Sequence, residues 1–151
     1  MTVPSVQSEV EVLGNGVATV HSFSPVVIYD QDHLVVTHID ASDVETTLVL
    51  DTDYSVSITS PNDLPSVGSI TYPLVGSPLP IGERLFIQRI VPLTQEIDLN
   101  NQGGYHPDTQ ESGHDLAKMA IQQIDAKASR AIQISLAANS AVNPILPAAV
   151  A

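Results

Sequence analysis

The first part of the chain alternates apolar and polar residues with a period of two. Residues 9–12 read Glu-Val-Glu-Val, which is the pattern of a half-buried strand. Asn15 and Gly16 follow, and both residue types tolerate the positive φ angles of a tight hairpin turn. We therefore expect a hairpin in which residues 17–23 form the return strand.

Further short runs of β-branched residues follow at close spacing, separated by Pro, Gly and Asp. Proline cannot donate a hydrogen bond to a sheet, so its repeated occurrence confines the pairing to short segments. Regular short strands with such turn signals are typical of an antiparallel β-sandwich or small barrel. The predicted strands cover residues 33–39, 46–50, 54–59, 69–72 and 85–91.

The periodicity changes after Val91. Residues 92–106 contain too many turn-forming residues for either a strand or a helix. An amphipathic helix is predicted from Pro107, because proline is tolerated in a first turn and Asp108 complements the positive end of the helix dipole. The chain thus divides into a β domain (1–91), a connector (92–106), an α-helix (107–135) and an extended tail (136–151).

Small and aliphatic residues recur along the predicted helix at spacings of four, three, four and three, the seam spacing of a coiled coil. Two heptads are too few to establish a coiled coil, and a helix that lies on its own sheet also needs an apolar face. An isolated helix of this composition would be marginal in water, so we expect it to dock on the β domain, on copies of itself, or on both. The candidate oligomer interface consists of Ala117, Ile121, Ile124, Ala128 and Ala131.

The charge balance is strongly acidic, with 17 Asp and Glu against 5 Lys and Arg. So few cations make nucleic acid and anionic membranes poor partners and favour a basic protein surface instead. The absence of cysteine excludes disulfides and thiolate metal sites. The first 14 residues contain neither Lys or Arg nor an apolar run, so no signal peptide or membrane anchor is expected there.

Two pairs of aspartates, beginning at Asp30 and Asp51, have one residue between their members. Such pairs can bind calcium or serve as acid and base in a glycosidase. A calcium loop starting at Asp51 would need Gly at its sixth position and Glu at its twelfth, where the chain has Val56 and Asn62. Turn capping by these aspartates is the favoured interpretation.

No other constellation predicts catalysis. The histidines do not form an H-E-x-x-H motif, and His33 and His38 would lie on opposite faces of a predicted strand. No serine lies in a G-x-S-x-G motif. We therefore predict no catalytic residue, metal or cofactor, and a protein that is not an enzyme. Arg89 lies in an apolar strand and is expected to pair with a buried carboxylate, for which Glu96 and Asp98 are candidates.

Several short motifs, taken in order, resemble the N-terminal domain shared by many tail fibre and tailspike proteins of tailed bacteriophages. They include residues 14–16, 29–30, 33–36, 52–56, 68–72 and 81–85. The similarity is densest over residues 89–96, where the chain leaves the β domain. It continues on the helix at Glu111, Asp115, Gln122, Gln123 and Arg130. The structural motif at this exit consists of Arg89, Pro92, Thr94, Gln95 and Glu96.

This resemblance implies the virion-proximal end of a homotrimer, which anchors a fibre to the tail or baseplate while a distal part recognises or degrades the host surface. The implied partners are copies of the chain, tail, adaptor or baseplate proteins, and the distal fibre part; the implied location is the virion, after assembly in the host cytoplasm. The chain stops where the distal part would begin, so either a fragment or a short adaptor that recruits a separate fibre fits. The remaining alternatives are a carbohydrate-binding or polysaccharide-degrading module and a cellular adhesion domain.

Overall fold

The computed structural model describes residue 3, residues 5–94 and residues 107–131. Within these residues the chain forms two antiparallel sheets followed by one helix, and the sheets do not close into a barrel. The predicted mainly β fold with a C-terminal helix is confirmed. The elements are β1 (Glu9–Leu13), β2 (Val20–Ser22), a 3₁₀ turn (Gln31–His33), β3 (Leu34–Ile39), β4 (Glu45–Thr47), β5 (Ser55–Ile58), β6 (Gly68–Thr71), β7 (Arg84–Arg89) and α1 (Pro107–Arg130).

The strands are ordered β1-β7-β3-β4 in one sheet and β2-β6-β5 in the other. The predicted hairpin between residues 9–12 and 17–23 is therefore wrong, because β1 pairs with β7 and β2 pairs with β6. The turn itself exists: the Asn15 side-chain oxygen accepts hydrogen bonds from the backbone N–H groups of Val17 and Ala18. It carries the chain from one sheet to the other, and the pairing is decided by strands distant in sequence.

The core lies between the two sheets, as expected for a sandwich. Leu34, Leu85 and Ile87 of the four-stranded sheet pack in one cluster with Ile70 of the other sheet. The Tyr54 hydroxyl is also buried there and donates a hydrogen bond to the Leu34 carbonyl at 2.8 Å. Each fully buried aliphatic side chain contributes about 1.5–3 kcal/mol to folding.

The register of the four-stranded sheet defines two ends of the sandwich. At one end the Arg89 N–H donates to the Ser8 carbonyl at 2.7 Å, and Arg89 is also paired with Leu34. We call this the helix end, because α1 packs there. At the other end Arg84 is paired with both Leu13 and Ile39. We call this the tip.

Some predicted boundaries shift in the structure. His33 lies in the 3₁₀ turn and not in the strand that begins at Leu34. The predicted connector beyond residue 94, the last predicted turn of the helix (132–135) and the tail (136–151) lie outside the described residues. No helix among the described residues has the length and apolar character needed to cross a membrane.

Candidate assembly interface

One face of α1 packs against the helix end of the sandwich. Met119 is fully buried in a second apolar cluster with Val27 and Val91, and Leu116 and Ala120 border that cluster. The cluster is small, so the burial of its few apolar side chains makes only a limited contribution to the attachment of α1.

Two adjacent glutamines supply most of the polar attachment of α1. The Gln123 side chain accepts a hydrogen bond from the Val91 N–H at 2.9 Å and donates one to the Val91 carbonyl at 3.3 Å. It therefore pairs with the backbone just after β7 much as a neighbouring strand would. Gln122 donates to the Ser5 carbonyl at 3.0 Å and accepts a hydrogen bond from Arg89. The two amides fix both the position and the rotation of the helix.

Arg89 is the largest fully buried side chain of the described residues, at 1% exposure. It donates to the Val27 carbonyl at 3.0 Å and to the Gln122 amide oxygen, while its Nε atom has no hydrogen-bond partner. Burial lowers the pKa of Arg89 to about 10, because a charged guanidinium is poorly solvated there. Among the described residues Arg89 joins β7 to α1 through its hydrogen bond to the Gln122 side chain.

The other predicted partners and motif residues have different positions. Pro92 and Thr94 are exposed beyond the end of β7. Glu96 and Asp98, the predicted partners of Arg89, lie outside the described residues, as does Gln95.

Two further contacts hold the two halves of the helix. In the first half, the Tyr29 hydroxyl donates to the buried Asp115 carboxylate at 3.0 Å. Burial, and secondarily the neighbouring Asp115, raises the pKa of Tyr29 to about 12. In the last turn, Arg130 pairs with Glu9 and lies over the Phe86 ring at 5.5 Å from its centre.

The predicted oligomer interface lies on the other face of α1. All five of its residues are exposed, and the two isoleucines are 61% and 54% accessible. These residues thus lie along one side of the helix, and the opposite side attaches α1 to its own β domain. The residues concerned are Ala117, Ile121, Ile124, Ala128 and Ala131.

Sequence reasoning did not identify the face of α1 that packs on the sandwich. Asp115, Met119 and Gln123 recur every four residues, which is a helical spacing. Two of these three are polar, so a search for apolar stripes favours the opposite side of the helix. The available signal was the resemblance on the helix, because four of its residues contact the β domain: Asp115, Gln122, Gln123 and Arg130.

The acidic pairs act in turns, as the favoured interpretation predicted. Asp30 caps the 3₁₀ turn by accepting the Asp32 N–H at 3.0 Å, and Asp53 accepts the Val49 N–H at 2.7 Å. In the part of the chain that the structure describes, no group of three or more His, Asp or Glu side chains could hold a metal ion.

Comparison with known proteins supports the predicted resemblance. No family model matches the chain. Over 135 residues, however, it is 34% identical to the tail spike protein of Salmonella phage epsilon15. The match covers 88% of this chain and 12% of that protein, so the chain spans only a small part of its relative. Most of this chain is thus related to a small part of a phage tail spike protein, and the predicted resemblance is confirmed.

Proposed function

We propose that the chain is a structural component of a phage virion: the anchoring domain that attaches a trimeric tail fibre or tailspike to the tail or baseplate for host adsorption. The proposal rests mainly on the different roles of the two faces of α1. A largely polar face fixes the helix to the β domain, and the more apolar face is exposed. The relationship to a tail spike protein supplies the context.

Self-association is proposed to use the exposed face. Ile121 and Ile124 together present two large aliphatic side chains to solvent on a helix whose attachment does not need them. Their spacing, extended by Ala117, Ala128 and Ala131, matches the seam of a coiled coil. Three copies joined along this seam would each keep their own β domain, because the attaching face is different.

The β domain is proposed to make the contact with the tail, by surface complementarity and without catalysis. Residues 5–94 contain eleven acidic residues and only two basic ones, Arg84 and Arg89. Arg89 is buried, and Arg84 is bonded to Glu11 and Asp43. A partner that matches this surface would be basic.

Tail particles assembled without their fibres provide the test. The purified chain, labelled with a fluorophore, is mixed with such particles and sedimented. We expect the labelled chain to sediment with the fibreless particles and to be excluded from complete particles, whose sites are occupied. A chain that remains in the supernatant with both would overturn the proposal.

A further inference from the structure

Three turns meet at the tip, opposite the contacts of α1. Residues 13–17 lie beside residues 79–83, since Gly14 N–H donates to the Glu83 carbonyl at 2.9 Å and Gly16 N–H donates to the Leu79 carbonyl at 2.8 Å. The turn between β3 and β4, residues 40–44, lies at the same end because it directly follows Ile39, which is paired with Arg84. The three turns therefore form one end of the molecule.

Each of these turns is held by its own hydrogen bonds. The Asn15 side chain accepts hydrogen bonds from two backbone N–H groups. The Asp40 side chain accepts hydrogen bonds from the backbone N–H groups of Ser42 at 2.7 Å and Val44 at 2.9 Å. The same two N–H groups lower the pKa of Asp40, because they stabilise its ionised form. In the third turn Gly82 has a φ of 94°, which places Ile81 at the corner before it. These turns are organised before any partner binds.

Each turn exposes a branched apolar side chain at its corner or edge. Val17 is 80% exposed, Val44 57% and Ile81 81%, and Leu13 at the end of β1 is 72% exposed. Exposed turns usually carry polar residues. Four aliphatic side chains at one end of a domain form the kind of patch that marks a protein contact. We call Leu13, Val17, Val44 and Ile81 the tip patch.

Carboxylates lie close in the chain to members of the tip patch. Asp40, Asp43 and Glu45 lie in or beside the turn that carries Val44, and Glu83 follows the turn that carries Ile81. Arg84 is the single basic residue of this end among the described residues, and it is bonded to Glu11 and Asp43. His38 lies 2.6 Å from Glu83. This end thus combines exposed aliphatic side chains with nearby carboxylates, which we call the acidic rim.

We infer that the tip patch and its acidic rim are the surface by which the β domain contacts the tail, and that its partner is a protein surface with an apolar pocket ringed by Lys and Arg. This inference rests on the proposed function and specifies which part of the β domain binds. The charge of the rim selects a basic partner, and the preformed turns reduce the ordering cost of association.

Matched substitutions of exposed valines test the assignment. Val17→Ser changes the tip patch, whereas Val6→Ser changes a side chain of nearly equal exposure, 83%, beside α1 at the helix end. Both substitutions are expected to leave thermal unfolding unchanged, because the side chains are in solvent. In the sedimentation assay with fibreless particles, we expect Val17→Ser to weaken binding and Val6→Ser to change it less than about twofold. Val17→Ser combined with Ile81→Ser should weaken binding at least about tenfold.

A second pair of substitutions tests the rim. Glu45→Gln removes a tip charge, and Asp63→Asn removes a charge from the turn between β5 and β6. Of these two variants, we expect only Glu45→Gln to weaken binding and to reduce the dependence of binding on salt.

If the wild-type chain binds the particles but tip and control variants bind equally, the inference fails while the proposed function stands. If the wild-type chain does not bind, the proposed function fails. If the tip variants lose only self-association, the patch contacts a second copy and the inference is overturned.

Discussion

At the scale of single residues, α1 is attached mainly by buried polar side chains whose hydrogen bonds are directional. Gln123 pairs with Val91 through both of its amide groups, and Gln122 connects Ser5 to Arg89. A hydrogen bond adds only about 1 kcal/mol to stability, but losing one partner of a buried pair costs more, because the other is left unsatisfied. These residues therefore determine where the helix lies.

Gln123→Ala would leave the Val91 N–H and carbonyl buried without their partners. We expect it to lower the free energy of unfolding by about 2–4 kcal/mol, the cost of two unsatisfied backbone groups. Gln110→Ala, in the first turn of the same helix, is the matched control and should change stability by less than about 0.5 kcal/mol. Urea unfolding followed by circular dichroism measures both. Equal losses for the two variants would show that Gln123 has no special role.

Tyr29 should make the helix attachment sensitive to alkaline pH. Its pKa is raised from 10.0 to about 12 in the folded chain, so the folded state keeps the phenolic proton at pH values where the unfolded state releases it. The resulting stabilisation is fully present below pH 10 and is lost as the pH rises through 12. Tyrosinate absorbance, titrated in the wild type and in Tyr29→Phe, should differ by one ionisation near pH 12. A difference centred near pH 10 would contradict the buried assignment.

At the scale of elements, α1 has two working faces. The face with Met119 packs on the sandwich, and the face with Ile121 and Ile124 is exposed. A helix that needed only to cover its own domain would bury its most apolar side. Here the buried side contains Asp115 and Gln123, and the isoleucines are left in solvent.

Two truncations separate the faces. Met119→Ala leaves a cavity in the cluster with Val27 and Val91, so we expect it to lower the free energy of unfolding by about 2–4 kcal/mol. Ile124→Ala removes an exposed side chain and should leave the unfolding of the dilute chain nearly unchanged while weakening self-association. Urea unfolding and sedimentation velocity across a concentration series distinguish these effects. A loss of stability with Ile124→Ala at the lowest concentration, without a change in association, would contradict the proposed seam.

Local patterns predicted the elements better than their partners. The alternation of residues 9–12 and the change of period before Pro107 correctly indicate β1 and α1, because local periodicity reflects burial on one face. The hairpin after β1 could not be rejected from sequence, since the competing pair, β1 with β7, joins residues far apart in the chain. Likewise, the buried face of α1 depends on polar pairs such as Gln123 with Val91, which hydropathy does not detect.

At the scale of the whole molecule, the two ends of the sandwich have different characters. The helix end contains α1, Arg89 and the exposed seam beside them, whereas the tip contains exposed aliphatic side chains and the acidic rim. The proposed arrangement assigns self-association to the first end and attachment to the second. Because the two surfaces share no residue, each can be altered while the other is kept.

The most direct test of the central claim is a cryo-electron microscopy map of the assembled tail that contains this chain. We expect three copies at each attachment point, with the α1 helices in contact along Ile121 and Ile124 and the β domains against the tail. A map in which the chain is present as single copies, or in which the β domains face away from the tail, would contradict this claim.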